Sequence, residues 1–146
     1  MKKFIFISLV TLLTAAVCAC SDDDEPINPI QLPESAQTFL AQYFSGYEVK
    51  RVEKEGKHGD TEYKVTFTNG YEVEFDAIGE WTDVDAPDGR TIPDGIAPAV
   101  ISEYVVNYFP NDGINEISRD YRGYEVDLVS GVDLTFAPDG TLIEID

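Results

Sequence analysis

Histidine, cysteine and basic residues are all scarce in this chain, and each shortage removes a class of function. The single histidine, His58, lies in Gly56-Lys57-His58-Gly59-Asp60, a glycine-flanked loop. One loop histidine builds no Ser-His-Asp or Cys-His constellation, so it reads as surface. The two cysteines, Cys18 and Cys20, sit near the N-terminus. The rest of the chain has no thiolate for a zinc site or a disulfide. Lysine and arginine number 10 against 28 aspartates and glutamates, a net charge of -18 over 146 residues. That balance argues against nucleic acid or an anionic membrane surface as partner. No apolar run after Ala16 is long enough for a membrane-spanning helix. Hydrophobic residues still make up 43% of the chain, enough for a folded core despite the charge.

What is present begins with an address. Met1-Lys2-Lys3 followed by apolar residues from Phe4 to Ala16 has the basic and hydrophobic regions of a secretory signal. Its end, Val17-Cys18-Ala19-Cys20, resembles a bacterial lipobox, with small Ala19 before Cys20. The resemblance implies cleavage after residue 19 and acylation of Cys20, which anchors the protein to a membrane through several acyl chains. The alternative is a soluble secreted protein. Ser21-Asp22-Asp23-Asp24-Glu25 resembles the acidic export signal that sends some lipoproteins to the cell surface. The alternative is a solvated spacer, because like charges repel and extend the chain, but the position beside the lipobox favours the signal. The expected location is the outer membrane, surface-exposed or else facing the periplasm. Residues 20–31 form an acidic tether, with Pro26 and Pro29 keeping it out of helix.

The remainder is one small unit written twice. Tyr63, Val65 and Phe67 alternate with polar residues, as do Tyr71, Val73 and Phe75. A three-residue loop, Thr68-Asn69-Gly70, keeps the apolar set on one face, pairing Phe67 with Tyr71, Val65 with Val73 and Tyr63 with Phe75. A two-residue turn at Asn69-Gly70 would mix the faces. Tyr124–Phe136 repeats the pattern, with Val129-Ser130-Gly131 as the loop. Upstream, Pro33 to Ser45 carries a helical stripe of Ala36, Phe39, Leu40, Tyr43 and Phe44. Ile101, Tyr104, Val105, Tyr108 and Phe109 repeat it 65 positions on, between Pro98 and Phe109. Strands are expected at 47–55, 80–84, 114–119 and 141–145. The reading is an α+β fold of two tandem repeats, each one helix packed on an antiparallel sheet of about four strands. The repeats span 32–85 and 96–146, joined by a turn-rich linker over 86–95.

Leu32-Pro33 through Tyr43-Phe44, then Tyr63 to Phe75, then Gly79-Glu80-Trp81 resemble the PepSY-like lipoproteins and periplasmic proteins of Gram-negative gut bacteria. Their tandem fold is similar to β-lactamase inhibitor protein. The second repeat departs, with Gly140-Thr141-Leu142 in place of Gly79-Glu80-Trp81. The resemblance implies protease regulation or enzyme binding across the sheet, and it offers no catalytic residue to transfer.

The polar hairpin faces are the candidate site. Glu62, Lys64, Glu72, Glu74 and Asp76 share one face, and Glu125, Asp127 and Asp133 share its repeat. Asp127 opposing Asp133 is unfavourable in a sheet. Such a face is either simply solvated or held ready for a basic protein partner. Trp81, Tyr47 and Tyr121 near strand ends read as packing or as partner contacts. Asp83, Asp85 and Asp88 beside Gly89 have calcium-type oxygens, but the spacing suits a linker better than a calcium loop. No cofactor is implied, and no carboxylate pair sits in a hydrolase-like pocket pattern. The expected function is a lipid-anchored, non-enzymatic, inhibitor-like binding module. The second possibility is a cell-surface glycan or small-ligand sensor with Trp81 stacking on sugar.

Overall fold

A computed structural model describes residues 25–56 and 61–146. The signal segment, Cys20, the acidic residues 21–24 and His58 lie outside the described residues. The elements follow in chain order: β1 (Glu25–Pro26), α1 (Glu34–Tyr43), β2 (Val49–Glu55), β3 (Glu62–Phe67), β4 (Glu72–Phe75) and β5 (Trp81–Asp85). Then come α2 (Ala99–Tyr108), β6 (Ile114–Asp120), β7 (Gly123–Leu128), β8 (Asp133–Phe136) and β9 (Leu142–Ile145). All nine strands form one antiparallel sheet in sequence order. The two repeats, β2–β5 and β6–β9, join edge to edge through β5 and β6.

Both hairpins take the three-residue loop. Phe67 N–H donates to Tyr71 O at 2.9 Å, and Leu128 N–H donates to Val132 O at 2.9 Å. Gly70 and Gly131 take φ of 93° and 87°, the left-handed conformation that closes this loop. Alternation in β2 and β6 is imperfect for a physical reason: each carries a bulge, at Val49/Arg51 and at Ile114/Glu116.

One apolar row crosses the sheet. Val52, Val65, Val73, Val84, Ile117, Val126, Leu134 and Ile145 are successive cross-strand partners. All but Ile145 are buried. Burying each such side chain stabilises by about 1.5–3 kcal/mol. The two ten-residue helices are too short to hold alone and depend on this packing. Phe39 meets Phe75 edge-on with centroids 5.6 Å apart, and Tyr104 meets Phe136 likewise at 5.5 Å. Tyr108, expected on the stripe, is 68% exposed and stacks on Tyr104 instead.

The tether and the linker are both tied to the sheet. The tether is docked: β1 pairs with β2, and Pro29–Gln31 forms a 3₁₀ turn capped by Asn28. Residues 86–95 are not a free linker. Ala86 and Ile92 are buried, and Asn115 Nδ2 donates to Ala86 O, Pro87 O and Arg90 O. Tyr71 Oη and Tyr43 Oη donate to Thr91 O and Gly95 O from the first repeat. Between β6 and β7 the turn is tight, with Asp120 paired to Gly123 across two residues.

Candidate functional site

Helices cover one sheet face only. Because strand side chains alternate, every residue between those of the apolar row points to the other face. Two polar rows run across it. The first reads Arg51, Thr66, Glu72, Asp85, Glu116, Asp127, Asp133 as successive partners. The second reads Glu53, Lys64, Glu74, Asp83, Ser118, Glu125, Thr135, Glu144. Five consecutive strands thus place a carboxylate directly opposite another carboxylate in the first row. Like charges so placed destabilise the sheet.

Compensation is uneven. Lys64 Nζ lies 2.7 Å from Glu72 Oε2 and 3.3 Å from Glu74 Oε1. Its hydrogen bond to Glu72 holds the ammonium above its usual range. At the β2 edge Arg51 Nη2 lies 2.7 Å from Glu53 Oε2. The centre lies at the repeat junction. Burial there pushes Asp83 up to about 8, reinforced by Glu116 and Glu74. Burial also raises Glu116, with Asp85 and Asp127 adding to it. Asp83 and Glu116 lie diagonally across the β5–β6 junction, and the Glu116 carboxylate helps Asp83 keep its proton. Asp85 and Asp127 are raised too, by burial first, then by Glu72 and by Asp133 respectively.

The structure brings Lys64, Glu72, Glu74, Glu125, Asp127 and Asp133 together on this face. Glu62 is exposed at its margin, its β2 partner being Glu55. Asp76 has a second role at the end of β4. Its Oδ1 accepts Ile78 N–H at 3.0 Å and Glu80 N–H at 2.9 Å, so it closes the turn before β5. Asp83, Asp85 and Glu116 were missed as members of the face. Their i, i+2 spacing was the available signal, but it meant nothing until β5 and β6 were known to be neighbours. Among the described residues, no group of three or more His, Cys, Asp or Glu is arranged to hold a metal ion.

A second cluster lies at one end of the junction, on the helix side. Trp81 is 9% exposed, packed against Phe39 with centroids 6.4 Å apart. Arg119 covers it, its guanidinium carbon 4.2 Å from the ring centroid. Arg119 Nε donates to Trp81 O at 2.6 Å, and Nη2 lies 3.1 Å from Glu80 Oε2. Nearby Tyr121 is 89% exposed. Tyr47 packs within the first repeat against Phe44, Phe67 and Tyr71.

Residues 61–144 match a family model described as "Putative beta-lactamase-inhibitor-like, PepSY-like". Three crystal structures are similar. A "putative periplasmic protein from DUF2874 family" of Bacteroides vulgatus is 37% identical, covering 86% of this chain and 98% of its own, with a TM-score of 0.82. A "putative calcium-regulated periplasmic protein" of Bacteroides thetaiotaomicron is 40% identical over the same shares, also at 0.82. A further periplasmic protein of unknown function from Bacteroides vulgatus is 26% identical, covering 84% and 98%, at 0.79. A comparison with curated proteins finds no match.

Proposed function

We propose that this chain, which belongs to the PepSY-like family, is a non-enzymatic binding module of the cell envelope that takes a cationic protein partner on its open sheet face. The observation that carries this is the row Glu72, Asp85, Glu116, Asp127, Asp133, in which like charges oppose one another across five strands. The arrangement works against the fold and in favour of a basic ligand. Relatives of known structure are periplasmic, which agrees with an envelope location. The lipobox-like Val17-Cys18-Ala19-Cys20 supports an anchor at Cys20. Cys20→Ala should move the protein from the membrane to the soluble fraction.

Binding of a basic probe protein at low and high salt tests the sheet-face reading. Reversing Glu72 and Asp127 to Lys should weaken binding strongly. Reversing Glu34 and Glu103, on the two helices, should leave it unchanged. Equal losses from both pairs, or binding indifferent to salt, would overturn the reading. The sugar-sensor alternative is less favoured, because Phe39 and Arg119 cover Trp81. The calcium regulation in one relative's description stays with that protein.

A further inference from the structure

The nine-stranded sheet has two edges, and they are finished differently. At one, β1 covers β2: Glu25 and Pro26 pair with Lys54 and Glu53, and Ile27 N–H donates to Val52 O at 2.9 Å. Pro26 has no N–H, so that edge resists a further strand. At the other edge, β9 pairs with β8 alone among the described residues. Asp146 exchanges both backbone bonds with Asp133, at 2.9 and 3.0 Å. Alternation therefore turns the N–H and C=O of Ile145 away from β8.

The molecule itself shows what such an edge accepts. β9 is the counterpart of β5, 61 positions on, and both carry the same bulge against the preceding strand, at Glu74/Phe75 and at Thr135/Phe136. On β5 the outer edge is filled by β6: Asp83, Val84 and Asp85 face Ser118, Ile117 and Glu116. Val84 is consequently fully buried, whereas its counterpart Ile145 is 50% exposed and neighbouring Ile143 is 62% exposed. The apolar row of the core therefore stops at Ile145, half covered. On the open face the two polar rows end at Glu144 and at Asp133 beside Asp146.

We propose that the free edge of β9 is a strand-acceptor site for an extended segment of a basic protein partner. The segment reads cation, apolar, cation. Its apolar residue lies beside Ile145 and extends the core row, and its cations lie beside Glu144 and Asp146. The sign of the partner's charge rests on the open-face reading above; the edge geometry does not. A second copy of this chain fits poorly. An antiparallel β9–β9 pairing centred on Glu144 sets that carboxylate against itself, and one centred on Ile145 sets Glu144 against Asp146.

The test uses the purified full-length protein and a synthetic capped peptide of alternating lysine and valine. The control is a peptide of the same composition with its lysines in one block. The alternating peptide should bind at least about tenfold more tightly than the block peptide, and Ile145→Pro should remove that preference by deleting the outward N–H. Amide exchange on the unmutated protein supplies a readout independent of any folding defect. The Ile145 amide should become protected when the alternating peptide is added. An unprotected Ile145 amide with salt-sensitive binding of both peptides alike would overturn the edge site and leave the open-face reading standing. Ile145 protection by an uncharged alternating threonine–valine peptide to the same extent would keep the edge and overturn the basic partner. Protection already present in the free protein, with the mass of a dimer, would overturn the proposal in favour of self-pairing.

Discussion

The first hairpin carries Lys64 where the second carries Glu125, and the difference propagates across the sheet. In the first repeat Lys64 bridges Glu72 and Glu74 on the adjoining strand. In the second, the counterparts of those residues are Asp133 and Thr135, and Asp127 replaces Thr66. Backbone register is the same in both, so the fold tolerates either polar set. The helix-covered sides diverge less in kind than in size. Phe67, Val73 and Ala36 in the first repeat become Leu128, Leu134 and Ile101 in the second, all buried. Apolar positions thus stay apolar in both repeats while differing in volume. The open face differs in sign between the repeats, and it carries carboxylates at the junction and beyond.

Truncating the shared anchor tests whether the two cores form one cooperative unit. Phe75 and Phe136 are fully buried in equivalent places under their helices. Phe75→Ala and Phe136→Ala should each destabilise by about 3–5 kcal/mol, and urea unfolding should remain a single transition in both. Two separated transitions in either variant would mean that the β5–β6 pairing does not couple the repeats.

The next largest effect belongs to a position the repeats do not share. Gly123 stands where the first repeat has Glu62, because the tight turn at Tyr121-Arg122 brings the chain back sharply. Its φ is 138°, and a Cβ there would lie 1.9 Å from Phe136 O. Gly131, at φ 87°, has open space around it. Gly123→Ala should therefore cost more than about 3 kcal/mol, and Gly131→Ala only about 1 kcal/mol of backbone strain. Thermal melts of the two variants decide this.

The hairpins, their loops and the helix stripes were legible because each is local: periodicity fixes the face, and Gly70 and Gly131 fix the loop. The junction was not legible. Val84 and Ile117 are neighbours only because the chain returns through α2, and nothing in either strand names the other as partner. The same non-locality hid Asp83, Asp85 and Glu116, whereas Asp127 facing Asp133 followed directly from its hairpin. Residues 86–95 looked like linker because turn residues are frequent there. Their order comes from distant donors, Asn115 and the hydroxyls of Tyr43 and Tyr71. Asp76 follows from alternation too, but the bonds of its Oδ1 to two amides of the following turn do not.

The raised Asp83 carboxyl at the junction gives the third test. Asp83 in the folded protein keeps its proton up to about 8, through burial and then Glu116 and Glu74. In the unfolded chain it ionises at about 4. The folded state binds more protons between those values, so its stability is fully present below the lower one and is lost as pH rises through the upper. The melting temperature should therefore fall from pH 6 to pH 8. Asp83→Asn should flatten that slope and stabilise the protein at pH 8 by about 1 kcal/mol, a figure discounted for solvent screening. An unchanged slope would show that Asp83 is not the group that holds this proton.

The smallest expected effect bears most directly on the difference between the repeats. Glu125 lies between Ser118 and Thr135, with Asp127 two residues along its own strand and Asp133 diagonally across. Glu125→Lys gives the second hairpin the cation that the first has in Lys64. It should stabilise by only about 0.3–0.5 kcal/mol, because the site is exposed and screened. The diagnostic quantity is the salt dependence. In the unmodified protein, raising ionic strength should relieve repulsion among these carboxylates and shift the urea midpoint upward. Glu125→Lys should shrink that shift, and Lys64→Glu should enlarge it while lowering the midpoint. Midpoints for the three proteins at low and high salt would show this ordering. If Glu125→Lys instead leaves the shift as large as before, the repulsion that distinguishes the second repeat arises at the junction strands, not within its own hairpin.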